Sequence, residues 1–352
     1  MKVSIGTNIK EGPWGGGNLF AVNLKKYLEG KGHTVINNLA DDDIDLILIT
    51  EPRKTSESSA YTHVDVLDYL SYVNRETLVV HRFNECDERK KTNYVNKYLM
   101  NANKIADHTI FVSKWLKNLY EKQGLNRSNV SVIYAGADKS IFNNKNFQPW
   151  TKGELIKVVT HHWGSNWNKG FEIYLLLDEL IGLPKWKNKI SFTYIGNIPK
   201  NLEFKNTTVI KPLSGNKLAA EIKKNNLYLT GSLNEPSGNH HIEAGQCGLP
   251  ILYVNSGGIP EYCNNFGTMF NNAADFEMKL LESIEAYPKT LLRMKEYPYS
   301  SDLMCNEYLE LFEKMIKQKV EYIKNRRLVF NKSLFRRLYF NKTRKRKSIS
   351  NL

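Results

Sequence analysis

Glu235 and Glu243 stand with seven residues between them in the stretch LTGSLNEPSGNHHIEAGQCGLPILYVNSGGIPEY, Leu229 to Tyr262. A carboxylate one turn into a helix can accept hydrogen bonds from two neighbouring sugar hydroxyls, and one on a loop can face whatever lies beyond. Between them, Glu235-Pro236-Ser237-Gly238 is a turn, because proline fixes φ and glycine relieves the steric limit on it. The backbone of Ser237, Gly238 and Asn239 is therefore expected at a helix N-terminus, where free N–H groups and the helix dipole stabilise a phosphate. Taken alone, two glutamates beside a turn also fit a solvated helix cap.

The elements that must position these groups can be read outward from them. Residues 227–229 end a short buried strand, a helix begins near Asn239 and closes at Gly248-Leu249-Pro250, and residues 251–254 form the next strand before the turn Ser256-Gly257-Gly258. Upstream, strands are expected at 2–6, 33–36, 45–49, 77–82, 104–113 and 130–138, then at 157–160 and 190–196, with helices at 19–32 and 114–123. The polar segment 143–153 reads as a linker. Alternating apolar strands and helices imply parallel sheets, and ligands of such sheets sit at the carboxyl ends of the strands. That rule directs attention to His81 and Arg82 and to the loop HHWGSNWNKG that follows residues 157–160.

A chain of 352 residues is long enough for two domains. No run approaches a membrane span, and the N-terminus lacks the apolar stretch of a signal peptide, so a cytosolic location is expected. The four cysteines show no C-x-x-C spacing, which argues against a zinc site or a disulfide framework. Asp41-Asp42-Asp43 reads as surface rather than as a metal site, and neither metal nor cofactor is expected. Eleven Lys and Arg and no acidic residue lie between Lys324 and Leu352, so of the net charge of +14 only +3 belongs to the remainder. The basicity is that of a tail, and a nucleic-acid partner is not indicated for the folded body.

Three pieces, Glu235-Pro236-Ser237-Gly238, Glu243-Ala244-Gly245-Gln246-Cys247-Gly248-Leu249-Pro250 and Gly257-Gly258-Ile259-Pro260-Glu261, together resemble the E-x7-E region of retaining GT-B glycosyltransferases of the family 4, or group 1, type. The resemblance implies an α/β, GT-B fold: two Rossmann-like doubly wound domains facing a deep cleft, with C-terminal helices crossing back to the first. The expected division is 1–147, an acceptor-side domain; 148–300, a nucleotide-sugar domain; 301–323, a helix packing back; and 324–352, the basic tail. It implies transfer of a sugar, with retention, from a nucleotide diphosphate sugar to a hydroxyl acceptor that is a glycan or lipid-linked glycan. Lys169-Gly170 matches the family's K-G, whose lysine neutralises the leaving diphosphate, while the arginine usual a few residues earlier is replaced by His161, His162, Trp163 and Asn166. Glu235 and Lys169 are the implied catalytic pair, with His81 matching a strand-end histidine near the reacting sugar. Gly16, in the glycine-rich loop Gly12-Pro13-Trp14-Gly15-Gly16-Gly17, joins His162, Ser237, Gly238, Asn239, Glu243 and Gly196 as donor-binding candidates. A GT-B epimerase or hydrolase, and a non-catalytic nucleotide- or RNA-binding protein, are the alternatives.

In the tail, Arg326-Arg327, Arg336-Arg337 and 344–347 alternate with Leu328-Val329-Phe330, Leu334-Phe335 and Leu338-Tyr339-Phe340. Bulky apolar groups beside clustered cations suit the inner face of an anionic membrane, with a disordered solubilising tail and an RNA-binding arm as the other readings.

Overall fold

The structure is a computed structural model that describes residues 1–10 and 15–349. Gly12, Pro13 and Trp14 of the glycine-rich loop lie outside the described residues. The chain divides into two compact units, Met1–Tyr134 with Met304–Leu352, and Ala135–Leu303.

The first unit is built on β1 (Lys2–Ile5), β2 (Thr34–Ile36), β3 (Leu46–Ile49), β4 (Leu78–Phe83), β5 (His108–Phe111) and β6 (Val130–Val132), all parallel, in the order β2-β1-β3-β4-β5-β6. Every residue of β3, β4 and β5 is buried, as expected of parallel strands covered on both faces. One cover is the helix Gly16–Gly30, which buries Phe20, Ala21, Leu24 and Leu28 at helical spacing. The late helix Ser301–Lys317 adds Met304, Cys305, Tyr308, Phe312 and Met315 to the same core, with the Tyr308 ring 5.1 Å from that of Phe20. Burial of each such side chain stabilises by about 1.5–3 kcal/mol, which is what returns the end of the chain to its beginning. The C-terminal crossing expected from the sequence is thus present.

The second unit holds β7 (Ile156–His162), β8 (Ile190–Gly196), β9 (Thr208–Ile210), β10 (Leu227–Thr230), β11 (Ile251–Val254) and β12 (Gly267–Phe270) in the order β12-β11-β10-β7-β8-β9, again parallel throughout. The order reverses between β7 and β10, and in an open α/β sheet a ligand crevice lies at the carboxyl ends of the two strands flanking such a reversal. Segment 143–153 is hydrogen-bonded within this unit, Trp150 N–H donating to the Tyr287 hydroxyl at 3.1 Å and Asn226 Nδ2 to the Gln148 carbonyl at 3.2 Å. The chain passes between units earlier, after Tyr134.

Candidate functional site

Strand β7 ends in His161-His162, whose ring centroids lie 6.3 and 4.5 Å from that of His240. His161 Nε2 lies 2.8 Å from Glu243 Oε2, and its Nδ1 lies 3.1 Å from the Tyr228 hydroxyl. Its Nε2 faces the carboxylate and its Nδ1 the tyrosine hydroxyl, so both ring nitrogens have a polar partner. His162 Nε2 instead meets the Tyr174 hydroxyl at 2.6 Å, and its ring centroid is 4.5 Å from that of His240. The two histidines that occupy the place of an arginine are therefore both engaged within the unit, His161 on Glu243 and His162 against Tyr174.

Past β7, a short 3-10 turn Trp167–Lys169 delivers Lys169, and Gly170 at φ 99° lets the backbone turn into the helix Phe171–Gly182. A Cβ on Gly170 would stand 2.5 Å from the Gly231 carbonyl carbon, so only glycine permits the loop to press on the exit of β10. Leu233 N–H donating to the Asn168 carbonyl at 2.8 Å and Ser232 Oγ donating to the Lys169 carbonyl at 3.2 Å stitch the two strand ends together. This brings the half-buried Lys169 ammonium into an ion pair with the buried Glu235 Oε1.

Glu235 is held from behind. Gly258 N–H donates to its carbonyl at 2.8 Å, and Gly257, at φ 64°, could not carry a Cβ without bringing it 2.4 Å from that oxygen. Asn234 N–H donates to Ser256 Oγ at 2.9 Å. The Ser256-Gly257-Gly258 turn after β11 is thus the buttress of the Glu235 loop. Beyond Glu235, Ser237, Gly238 and Asn239 are half-exposed, and Gly238 caps the helix Asn239–Gln246 at φ 80° with no side-chain hydrogen bond. A Cβ there would stand 2.8 Å from His241 Cε1, so the turn admits only glycine, and the helix N-terminus is left to be met by something other than a cap.

Burial, reinforced by the nearby Lys169 cation, holds the His162 and His240 rings well below the usual histidine range, and burial takes His241 to about 3. At neutral pH the rings of His162, His240 and His241 are uncharged. His240 shares a contact of 2.9 Å with Thr230 Oγ1, while His241 Nε2 is buried with no hydrogen-bond partner among the described residues.

Of the residues singled out in the sequence, Lys169, Glu235, Ser237, Gly238, Asn239, Glu243, His162 and Gly196 all lie in the second unit, around the carboxyl ends of β7, β8 and β10. Gly196 pairs in register with His162, and a Cβ on it would stand 2.0 Å from the His162 carbonyl oxygen. Gly16 and His81 belong to the first unit. Gly16 is exposed at the start of its helix; His81 is fully buried in β4, with Nδ1 3.2 Å from Asn103 Nδ2, Nε2 unpartnered among the described residues, and burial holding the ring neutral down to about 3. The partners Tyr174, Tyr228 and Ser256 carry no local signal in the sequence beyond polar groups inside or beside apolar runs. Among the described residues no group of three or more His, Cys, Asp or Glu is arranged to hold a metal ion, and the four cysteines are free and buried.

Two parallel six-stranded α/β units in one chain, with a glycine-buttressed acidic loop and a lysine at the strand reversal of the second, define the GT-B fold. Residues 192–300 match the family described as Glycosyl transferases group 1, so both the fold and this match bear out the resemblance to GT-B glycosyltransferases drawn from the sequence. In three dimensions the chain is similar to a glycosyltransferase from Rickettsia africae ESF-5, with 15% identity, a TM-score of 0.62, and coverage of 90% of this chain and 98% of that one. It is similar also to sucrose-phosphate synthase from Thermosynechococcus elongatus, with 14% identity, a TM-score of 0.58, and coverage of 90% and 99%. S. aureus TarM, crystallised with fondaparinux, alpha-GlcNAc-glycerol and UDP, is similar over 83% of this chain and 58% of its own, with 15% identity and a TM-score of 0.56. No curated protein matches the sequence at a significant level.

Proposed function

We propose that the chain is a retaining, metal-independent glycosyltransferase that moves a sugar from a nucleotide diphosphate sugar to a hydroxyl of a glycan or lipid-linked glycan. The observation that carries the reading is the pair of half-buried Lys169 and buried Glu235 beside a helix N-terminus with no side-chain cap at the strand reversal of the second unit. As the anomeric C–O bond breaks, positive character grows on the sugar and negative charge on the departing diphosphate. Lys169 and the N–H groups of Gly238 and Asn239 meet that negative charge, and because they are already oriented they stabilise it without reorganising. Glu235 fixes the donor sugar's hydroxyls and lies close to the cationic sugar face. Glu243, oriented by His161, accepts from the ribose hydroxyls. Gly196 and Ser237 complete the donor side, while Gly16 and His81 are assigned to the acceptor side. The unpartnered Nε2 of His81 supports that last assignment, since a buried polar atom without a partner is costly unless a ligand meets it. The presence of UDP in a TarM structure of the same fold supports a nucleotide donor.

A panel of nucleotide sugars, followed first by thermal stabilisation and then by release of nucleoside diphosphate with and without glycan acceptors, tests the reading. Acceptor-dependent release that persists in EDTA supports it. Release without an acceptor, or activity abolished by EDTA, counts against transfer and metal independence respectively.

A further inference from the structure

The C-terminal helix Leu334–Ile349 is attached to the first unit by one face. Phe340 is buried in the cluster of Tyr69, Leu70 and Ile105. Arg336 donates to both oxygens of Asp68 at 2.8 and 2.9 Å, and Arg344 reaches the Ala40 carbonyl at 2.7 Å and Asp42 at 2.5 Å. These three anchors, at i, i+4 and i+8, fix the rotation of the helix about its axis. Four large side chains then face away from the core: Leu334, Phe335, Leu338 and Tyr339 are 65%, 88%, 62% and 71% exposed. Their spacing of i, i+1, i+4 and i+5 makes them one contiguous stripe over two turns, unlike the single exposed apolar residues found on any protein. The stripe continues into Lys342 and Lys345, and Lys332 and Arg337 flank its start; all four are exposed.

We propose that this stripe is a docking surface for an anionic lipid bilayer. The four apolar side chains enter at the headgroup boundary, while the lysines and arginine meet lipid phosphates. Charge complementarity selects an anionic surface, and the apolar stripe selects lipid over nucleic acid, which offers phosphates to the cations and no apolar phase to Leu334 and Leu338. A helix held to the body on its opposite face also answers the reading of the tail as disordered. The proposal stands independently of the transferase reading.

Sedimentation of the full chain with mixed phosphatidylglycerol and phosphatidylcholine vesicles, against phosphatidylcholine alone, tests it. The parent is expected to bind the mixed vesicles and to lose binding as salt rises. Phe335→Ser/Leu338→Ser is expected to bind them at least about tenfold more weakly. Lys342→Glu/Lys345→Glu is expected to lose the preference for anionic lipid. All four positions are exposed, so unchanged melting temperatures are the control that the fold is intact. Equal vesicle binding by the parent and both variants overturns the proposal. So does an RNA homopolymer that binds parent and serine variant alike while vesicles bind neither, which would assign the cations to nucleic acid.

Discussion

Replacing Lys169 by Met removes the cation while leaving the Glu235 carboxylate at 4% exposure without its lysine. Breaking a buried ion pair from one side costs about 3–5 kcal/mol, and the residual 13% exposure of the Lys169 side chain favours the low end, about 3 kcal/mol. For a unit the size of residues 135–303, each kcal/mol moves the melting temperature by about 2–4 °C, so a fall of about 6–12 °C is expected. Lys169→Met/Glu235→Gln removes both charges and should recover most of that loss, because a neutral pair of similar volume carries no stranded charge. Neither variant should recover turnover, which is expected to fall by about 10²–10³ in both, the amount attached to one oriented group facing transition-state charge. Thermal unfolding followed by circular dichroism, together with a double-mutant cycle and donor turnover, measures both quantities. A single variant that melts within about 1 °C of the parent, with the double variant no higher, would show that the two groups are not coupled in a water-poor site and would refute the reasoning.

Glu243→Gln, which weakens the carboxylate facing His161, is expected to raise the Kd for nucleoside diphosphate about tenfold, the worth of one charge-assisted hydrogen bond, as read by titration calorimetry. Gly257→Ala forces a Cβ to 2.4 Å from the Glu235 carbonyl at φ 64°. It should cost about 1–3 kcal/mol in urea unfolding and lower turnover at least about tenfold by displacing the Glu235 loop. Stability should also fall with acid. His81 stays neutral in the fold down to about 3, whereas an unfolded histidine takes up its proton near 6.5, so below that pH the unfolded chain binds more protons than the native one. The resulting loss is up to about 1.4 kcal/mol per pH unit as pH falls from about 6.5 towards about 3, and His81→Gln should reduce the measured slope by that amount. A slope unchanged by the substitution would show that the ring is not held neutral.

The local devices follow from residue type alone. Pro236 and Gly238 dictate a turn and a helix start after Glu235, because their allowed φ ranges are properties of the residues and not of the fold. Short apolar runs such as Leu46–Ile49 and Ile251–Val254, set between turn residues, read as strands covered on both faces, so the α/β class was legible too. Tertiary structure alone decided which groups share a site. His161 and Glu243 are 82 residues apart, and they meet because β10 pairs with β7 at the point where the strand order reverses, a fact carried by no local pattern. The same pairing turned Lys169 onto Glu235, and the pairing of β11 with β10 set Gly257 behind it. The helix Phe171–Gly182 that follows β7 brought Tyr174 against His162, a ring that the sequence placed among the donor-binding candidates. Side-chain type and backbone restriction act over a few residues and can be read in order along the chain. The distance between two charged groups is fixed by sheet register and helix packing, which only the assembled core supplies.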